Sequence, residues 1–201
     1  MVIIGLTGSI GMGKTTAARM LRRMGVPVHD SDRAVRTLLE RDREVISAVA
    51  ALFPDAVRDS VVDRAALGRK VFADPEALER LEAILHPRVR ARSDEFLRRA
   101  ALAGAPVAVL DVPLLLETGG DRRCGLVAVV SAPAFVQRQR VLGRPGMTAE
   151  LLAAILDRQM PDREKRRRAD IVVPTGLGRA VTWRALRRMV DSARKTDERG
   201  R

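Results

Sequence analysis

The fold is decided by a glycine-rich stretch near the start of the chain, Gly8-Ser9-Ile10-Gly11-Met12-Gly13-Lys14-Thr15. Its spacing is G-x-x-x-x-G-K-[ST], the pattern of a P-loop that cradles phosphate groups. The apolar run before it, residues 2–6, predicts a buried strand, and the Ala-, Leu- and Met-rich residues 16–24 after it predict a helix. A loop that joins a strand to a helix is the context this motif requires.

The residue types of this stretch suit a nucleotide phosphate better than an ordinary glycine-rich turn with a capped helix. Glycines let backbone N–H groups approach phosphate oxygens, and the helix start adds donors and positive charge. We expect Lys14 to bind the β- and γ-phosphates and Thr15 to ligate Mg²⁺. A dinucleotide-binding loop is disfavoured, because its third glycine would fall at Thr16. The predicted ATP-binding residues of this region are Gly8, Gly11, Met12, Gly13, Lys14, Thr15 and Thr16.

Composition limits the class of protein. The 201 residues, 46% hydrophobic, are enough for one domain with a sizeable core and an inserted subdomain. Aromatic residues make up only 2%, which argues against base stacking on single-stranded nucleic acid. The formal net charge of +12 suits polyanionic partners, and small phosphorylated ligands in an arginine-lined cleft are favoured over nucleic acid.

The single cysteine, Cys124, excludes an internal disulfide and a cysteine zinc cluster, and it fits a reducing compartment. The chain enters a strand without a signal-peptide pattern, and no apolar run approaches the roughly 18 residues of a membrane span. We therefore expect a cytoplasmic protein with no membrane partner, acting as a monomer or weak homo-oligomer.

Short apolar runs alternate with helical patterns along the chain, which predicts an α/β fold with a parallel sheet sandwiched by helices. Residues 33–103 are predicted to be entirely helical, with an interruption at His86-Pro87. The charged tail from Lys195 is expected to fray. The predicted division is a core at about 1–32, 104–137 and 169–194, a helical acceptor-binding insertion at about 33–103, a lid at about 138–168, and a tail at 195–201.

Ligands of parallel sheets bind beyond the carboxyl ends of the strands, so polar residues at these ends are candidates for catalysis. Asp32 follows the second predicted strand and is expected to act as the general base, although Ser31 or Asp32 is also suited to capping the next helix. Asp111 follows the strand at 107–110 and is a candidate Mg²⁺ ligand, or else an ordinary strand-end turn residue.

Arginines surround a Gly/Pro turn at residues 143–146, where a mobile segment could close over ATP. Arg140 and Arg144 are the candidates, and a solvated basic face is the alternative. The later run Arg163–Arg168 is expected to be a solvated helix face. A single histidine such as His86 is more often structural than catalytic.

Together these motifs resemble one family, the dephospho-CoA kinases. The histidine-proline element and the Pro-Leu-Leu-x-Glu element are more specific than the P-loop, which many NTPases share. The motifs that carry the resemblance are the P-loop with Gly5–Thr7 before it, Asp30–Ala34, Leu85–Pro87, Asp111–Glu117, Arg140 with Arg144, Gln159-Met160 and Ala169-Asp170.

The resemblance implies a fold like that of nucleoside monophosphate kinases, with a helical substrate-binding region and a lid. It implies transfer of the ATP γ-phosphoryl group to the ribose 3′-hydroxyl of dephospho-CoA, the last step of coenzyme A synthesis, with Mg²⁺ as cofactor. Asp32 would be the base, and Arg140 would be a lid arginine on ATP. The implied acceptor-binding residues are Asp32, His86, Leu114 and Glu117.

One departure from the family concerns the residues after the last strand. Many members have an Asp-Asn pair there, near the adenine, where this chain has Pro174-Thr175. Another acceptor kinase, of shikimate or gluconate type, is an alternative that also uses an aspartate after the second strand. A nucleic-acid-stimulated ATPase is a further alternative, whereas a GTPase is disfavoured because no Asn-Lys-x-Asp element occurs.

Overall fold

A computed structural model describes residues 1–59 and 61–199 of the chain. Contacts between Cα atoms divide the chain into two compact units. The first, which we call the core unit, comprises Met1–His29 and Arg99–Arg201. The second, the helical unit, comprises Asp30–Arg98.

The described residues form strands and helices that alternate along most of the chain. The strands are β1 (Val2–Thr7), β2 (Val28–Asp30), β3 (Val57–Arg58), β4 (Val61–Val62), β5 (Val107–Asp111), β6 (Leu126–Ser131) and β7 (Ile171–Pro174). The helices are α1 (Lys14–Arg23), α2 (Ser31–Arg41), α3 (Arg43–Leu52), α4 (Arg64–Ala73), α5 (Pro75–Leu102), α6 (Ala134–Leu142), α7 (Ala149–Asp157), α8 (Asp162–Arg168) and α9 (Arg179–Arg199).

Five strands form one sheet in the order β2-β5-β1-β6-β7. Strand β1 pairs in parallel with both β5 and β6, and β6 pairs in parallel with β7. The register pairs Leu6 with Asp111, so β1 and β5 end at the same edge. Nearly continuous apolar runs are typical of parallel strands, because helices cover both faces of the sheet. The predicted α/β fold is confirmed.

Helices α1 and α9 contact each other, and α9 contacts β1, β5 and β7. Their apolar residues join those of the sheet in one cluster, in which Leu6, Leu21 and Leu186 are fully buried. With so few aromatic residues in the chain, this core is built from aliphatic side chains and methionine. Burial of this aliphatic surface is the main term that stabilises the unit.

The helical unit is not entirely helical, and that prediction was wrong. Strands β3 and β4 pair antiparallel, Val57 with Val62 and Arg58 with Val61. The β-branched valines favour extended backbone, and Asp59 adopts a positive φ of 50° in the turn between the strands. This unit has an apolar core of its own. Its buried residues include Leu38, Val49, Phe53 and Leu67.

The predicted interruption at His86-Pro87 is also wrong, because α5 runs without a break through Pro87. Proline in a helix interior removes one backbone hydrogen bond and costs about 3 kcal/mol. Leu81 and Leu85 before it are buried, and Val89 after it packs against the same cluster. Apolar contacts on both sides of Pro87 thus outweigh the lost bond.

The charged tail does not fray at Lys195, since α9 continues to Arg199. Asp197 is buried, and its carboxylate binds the amino group of Met1. Gly200 and Arg201 of the predicted tail lie outside the described residues. Among the helices of the described residues, none combines the length and the apolar character needed to cross a membrane.

Candidate active site

The P-loop conformation depends on glycine at two positions. Gly11 and Gly13 adopt φ values of 77° and 88°, which side-chain-bearing residues rarely adopt. A Cβ atom on Gly11 would lie 2.5 Å from Cγ2 of Val141, and one on Gly13 would lie 3.2 Å from the side chain of Thr175. The loop thus has both the dihedrals and the close packing that its glycines predict.

The start of α1 has the properties of an anion site. Its N-cap is Gly13, which provides no side-chain hydrogen bond to the first turn. Among residues 1–59 and 61–199, the backbone N–H groups of Gly13, Lys14 and Thr15 have no protein acceptor. The Thr15 side chain is exposed. Unpaired donors and the helix dipole together favour a phosphate here.

The two charges that sequence reasoning assigned to phosphate and metal binding lie next to each other. The Lys14 ammonium is 2.7 Å from a carboxylate oxygen of Asp111, and their side chains are only 14% and 4% exposed. The register of β1 with β5 brings them together, because Asp111 ends the strand beside the one that enters the P-loop. Asp111 is thus buried and ion-paired at the end of β5, and its part in metal binding stays a prediction.

Polar side chains from three elements hold the P-loop backbone. The Thr175 hydroxyl lies 2.7 Å from the Met12 carbonyl and 3.2 Å from that of Ser131. Gln137 donates to the Ile10 carbonyl at 2.7 Å. Gln159 accepts from the Ile10 N–H at 3.0 Å. No role for Gln137 or Thr175 follows from the sequence, since neither spacing nor periodicity distinguishes them from surface residues.

Arg140 lies on α6 and binds protein groups close to the loop. Its guanidinium donates to the Thr175 carbonyl at 2.6 Å and to the Thr175 hydroxyl at 3.2 Å. Arg144 follows on the turn after α6, is exposed, and has no side-chain partner within the described part of the chain. Arg140 is thus fixed close to the P-loop by its hydrogen bonds, while the Arg144 guanidinium is available to bind a ligand.

Two further residues predicted to bind ATP are engaged within the protein. Met12 is buried, its sulfur accepts from the Ala132 N–H at 3.1 Å, and its own N–H donates to Ser9. The Thr16 N–H donates to the Gly13 carbonyl at 3.0 Å. These contacts shape the loop, and a direct part in nucleotide binding stays a prediction for both.

Asp32 lies in the first turn of α2. The helix is capped by Asp30, whose carboxylate accepts from the Arg33 N–H at 2.9 Å, so the expectation that Ser31 or Asp32 caps it was wrong. The helix begins at Ser31, earlier than the sequence suggested, which makes Asp30 the cap. Asp32 is exposed and has no partner among the described side chains and backbone groups.

The Pro-Leu-Leu-x-Glu element follows β5. Leu115 and Leu116 are buried, while Leu114 is half-buried. A Glu117 oxygen accepts from the Met160 N–H at 3.0 Å and lies 2.7 Å from the ammonium of Lys165.

The expectation that the run Arg163–Arg168 is a solvated face is wrong for Lys165, whose side chain is fully buried. The arginines of the run are exposed, as expected, and Glu164 is half-buried. His86 is exposed on α5 of the helical unit.

No group of three or more His, Cys, Asp or Glu side chains that could hold a metal occurs in the described ranges. The Thr15 hydroxyl and the Asp111 carboxylate are hard oxygen donors. Mg²⁺ is commonly bound by one or two such groups together with substrate phosphates and water, so this donor set fits it.

A parallel sheet with a P-loop between β1 and α1, and a carboxylate beside the loop lysine, defines a P-loop NTPase fold. The model of the family "CoaE: Dephospho-CoA kinase" matches residues 2–177. The chain belongs to the dephospho-CoA kinase family.

Individual relatives agree with this assignment. The chain is 57% identical over 201 residues to a dephospho-CoA kinase of Rhodospirillum rubrum, with 100% of this chain and 95% of that protein covered. It is 40% identical to TT1252 from Thermus thermophilus, with a TM-score of 0.84 over 95% of this chain and 96% of that one. The dephospho-CoA kinase from Campylobacter jejuni, 23% identical, shares the fold with a TM-score of 0.72 over 97% of this chain and 98% of the other.

Proposed function

We propose that this protein transfers the γ-phosphoryl group of ATP to the ribose 3′-hydroxyl of dephospho-CoA, giving coenzyme A. Kinases of this family use ATP, and full-length similarity to named dephospho-CoA kinases supports the acceptor. The single structural observation that carries phosphoryl transfer is the uncapped start of α1 with the Lys14–Asp111 pair beside it, while the choice of acceptor rests on the family match. No feature of the site favours the acceptor of another kinase with this fold, such as shikimate or gluconate.

The P-loop binds the phosphates. The free N–H groups of Gly13, Lys14 and Thr15 donate to phosphate oxygens, and the Lys14 ammonium neutralises charge that develops during transfer. Arg144, which is exposed and unpaired in the described chain, adds a positive charge from the turn after α6. Arg140 contributes its charge from a fixed position beside Gly11, whose carbonyl lies 3.4 Å from the guanidinium.

Thr15 and Asp111 would hold Mg²⁺. When bound, the ion offsets phosphate charge, which lowers the barrier to attack by a neutral hydroxyl. The Lys14–Asp111 salt bridge shows that the Asp111 carboxylate is oriented toward the P-loop rather than toward solvent.

Asp32 is the proposed general base. Its carboxylate is exposed, it is not used for helix capping, and it has no partner in the described chain, so it is available to accept the proton of the attacking hydroxyl. His86 and Leu114 are proposed to contact the acceptor. Glu117 is proposed to serve the acceptor site through the loop that carries Leu114, because one of its oxygens is already bound by Met160 and Lys165.

The decisive experiment supplies purified protein with ATP, Mg²⁺ and dephospho-CoA, and identifies coenzyme A by mass spectrometry and the phosphorylated position by NMR. Shikimate and gluconate serve as alternative acceptors, and duplex DNA tests for stimulated ATP hydrolysis. Lys14→Ala removes the positioned charge and should lower kcat by about 100-fold or more. Arg19→Ala, an exposed residue of the same helix, is the matched control. ATP consumption that dephospho-CoA does not stimulate would contradict the acceptor.

We also propose a cytoplasmic location and a monomeric or weakly associating state. The support is compositional, namely one free cysteine and a basic surface without a long apolar segment. Cell fractionation tests the location. Light scattering of the purified protein tests the oligomeric state.

A further inference from the structure

Lys165 is the exception in a strongly basic helix. Helix α8 reads DREKRRR, and Arg163, Arg166 and Arg168 are exposed as expected for a solvated face. The Lys165 side chain is fully buried. Removing an ammonium from water is costly unless it is paired and hydrogen-bonded, so the surroundings of Lys165 must provide for its charge.

The Lys165 ammonium bridges both ends of residues 112–117, which we call the acceptor loop. It lies 2.7 Å from a Glu117 carboxylate oxygen and 3.4 Å from the Pro113 carbonyl. The Pro113 carbonyl also accepts from the Thr7 hydroxyl at 2.8 Å, one residue before the P-loop. Leu114 lies between Pro113 and Glu117, the two residues that Lys165 contacts.

Residues 159–165, which we call the brace segment, contact two functional loops at once. Gln159 accepts from the Ile10 N–H of the P-loop at 3.0 Å. The next N–H, that of Met160, donates to Glu117 of the acceptor loop at 3.0 Å. Lys165 closes the other end of the segment on the same carboxylate. One short segment thus contacts both the P-loop and the acceptor loop.

A buried ion pair is a poor source of net stability, because a well-packed apolar pair often does as well or better. What a lysine with two oxygen partners adds is direction, since it holds a carboxylate and a carbonyl at defined positions. We propose that Lys165 is a positioning residue that fixes the acceptor loop for the phosphoryl acceptor. This inference rests on the proposed function, which takes Leu114 to line the acceptor site.

The test compares Lys165→Met with Lys165→Met/Glu117→Gln, Glu117→Gln and the control Arg166→Met, whose side chain is exposed on the same helix. The Gln side chain keeps an oxygen for the Met160 N–H and removes the charge that Lys165→Met leaves buried and unpaired. KM for dephospho-CoA, KM for ATP, kcat and the melting temperature are measured for each full-length protein. Wild-type activity on dephospho-CoA is established first, so failure of the proposed function is recognised before any variant is compared.

We expect Lys165→Met to raise KM for dephospho-CoA by about tenfold or more, while KM for ATP changes less than about twofold. The double variant should regain much of the melting temperature and still show the raised KM. Arg166→Met should match the wild type. If Lys165→Met does not fold, the double variant carries the comparison.

Two results would overturn the inference. In the first, the double variant regains both the melting temperature and the wild-type KM for dephospho-CoA, which makes Lys165 a merely structural partner of Glu117. In the second, the KM values of ATP and dephospho-CoA rise equally, which means that the brace segment acts on the P-loop and not on the acceptor loop.

Discussion

The acidic residues of the candidate site differ in whether their carboxylates already have a partner within the protein. Lys14 and Asp111 are paired with each other beside the helix start, Glu117 is paired with Lys165, and Asp32 has no partner among the described residues. A carboxylate that is neither paired nor capping a helix is available for proton transfer. This contrast separates Asp32 from the other acidic candidates.

Asp32→Asn tests the proposed base. The amide has the same shape but cannot accept the hydroxyl proton, so we expect kcat to fall by about 100-fold or more while KM for ATP stays close to wild type. Asp55→Asn, which changes an exposed carboxylate of the same helical unit, is the control. Retention of more than about a tenth of kcat in Asp32→Asn would rule out general-base catalysis by this residue.

Cys124 should be an unreactive thiol. Burial is the main cause that raises the pKa of Cys124 from 9.0 to about 11. Because the thiolate is the reactive form, its fraction at pH 8 is lowered by about 100-fold. We expect labelling by a thiol reagent to be much slower in the folded protein than in urea, and to accelerate as the pH rises toward 11. Equal rates in the two states would contradict this.

At the scale of elements, the P-loop is held by side chains from the elements around it. Thr175 after β7, Gln137 on α6 and Gln159 after α7 each bind its backbone. The loop therefore does not depend on its own glycines alone for its shape. Elements distant in sequence contribute to the same few backbone groups.

Thr175→Val tests this support. The replacement keeps the shape but leaves the buried Met12 carbonyl without its hydroxyl donor, which should cost about 1–3 kcal/mol in the free energy of unfolding. We expect KM for ATP to rise several-fold, because the loop is less well ordered. Thr182→Val is a matched control, since that buried hydroxyl binds the Pro174 carbonyl outside the loop at 2.8 Å. It should lose similar stability with an unchanged KM for ATP.

At the scale of the whole molecule, the large positive net charge is the property that bears on substrate binding. A formal net charge of +12 attracts both anionic substrates from a distance, and added salt screens this attraction. We expect kcat/KM for ATP and for dephospho-CoA to fall several-fold between about 20 and 200 mM potassium chloride. Kinetics repeated in choline chloride separate screening from a specific ion effect. A kcat/KM that does not change with ionic strength would exclude long-range steering.

Much of the architecture was readable from local pattern. The P-loop, four further apolar runs of the sheet and most helices follow from periodicity and glycine spacing. Long-range contacts outweigh the local signal at two places where the predictions are wrong. Pro87 lies inside α5, where apolar contacts hold both of its sides, and the tail is helical, with Asp197 bound to Met1. Valines 57, 61 and 62 form a hairpin within a segment that looked helical.

The sequence by itself determined that the chain has a P-loop, a parallel α/β sheet and the motifs of one kinase family, because these depend on residue type and spacing over a few turns. Only the tertiary structure decided the partners: that Lys14 pairs with Asp111, that Thr175 supports the loop, and that Lys165 is buried against Glu117. The physical reason is that burial and ion pairing are set by packing between segments far apart in the chain. Lys165 and the exposed arginines beside it carry the same sign of charge, and only their surroundings distinguish them.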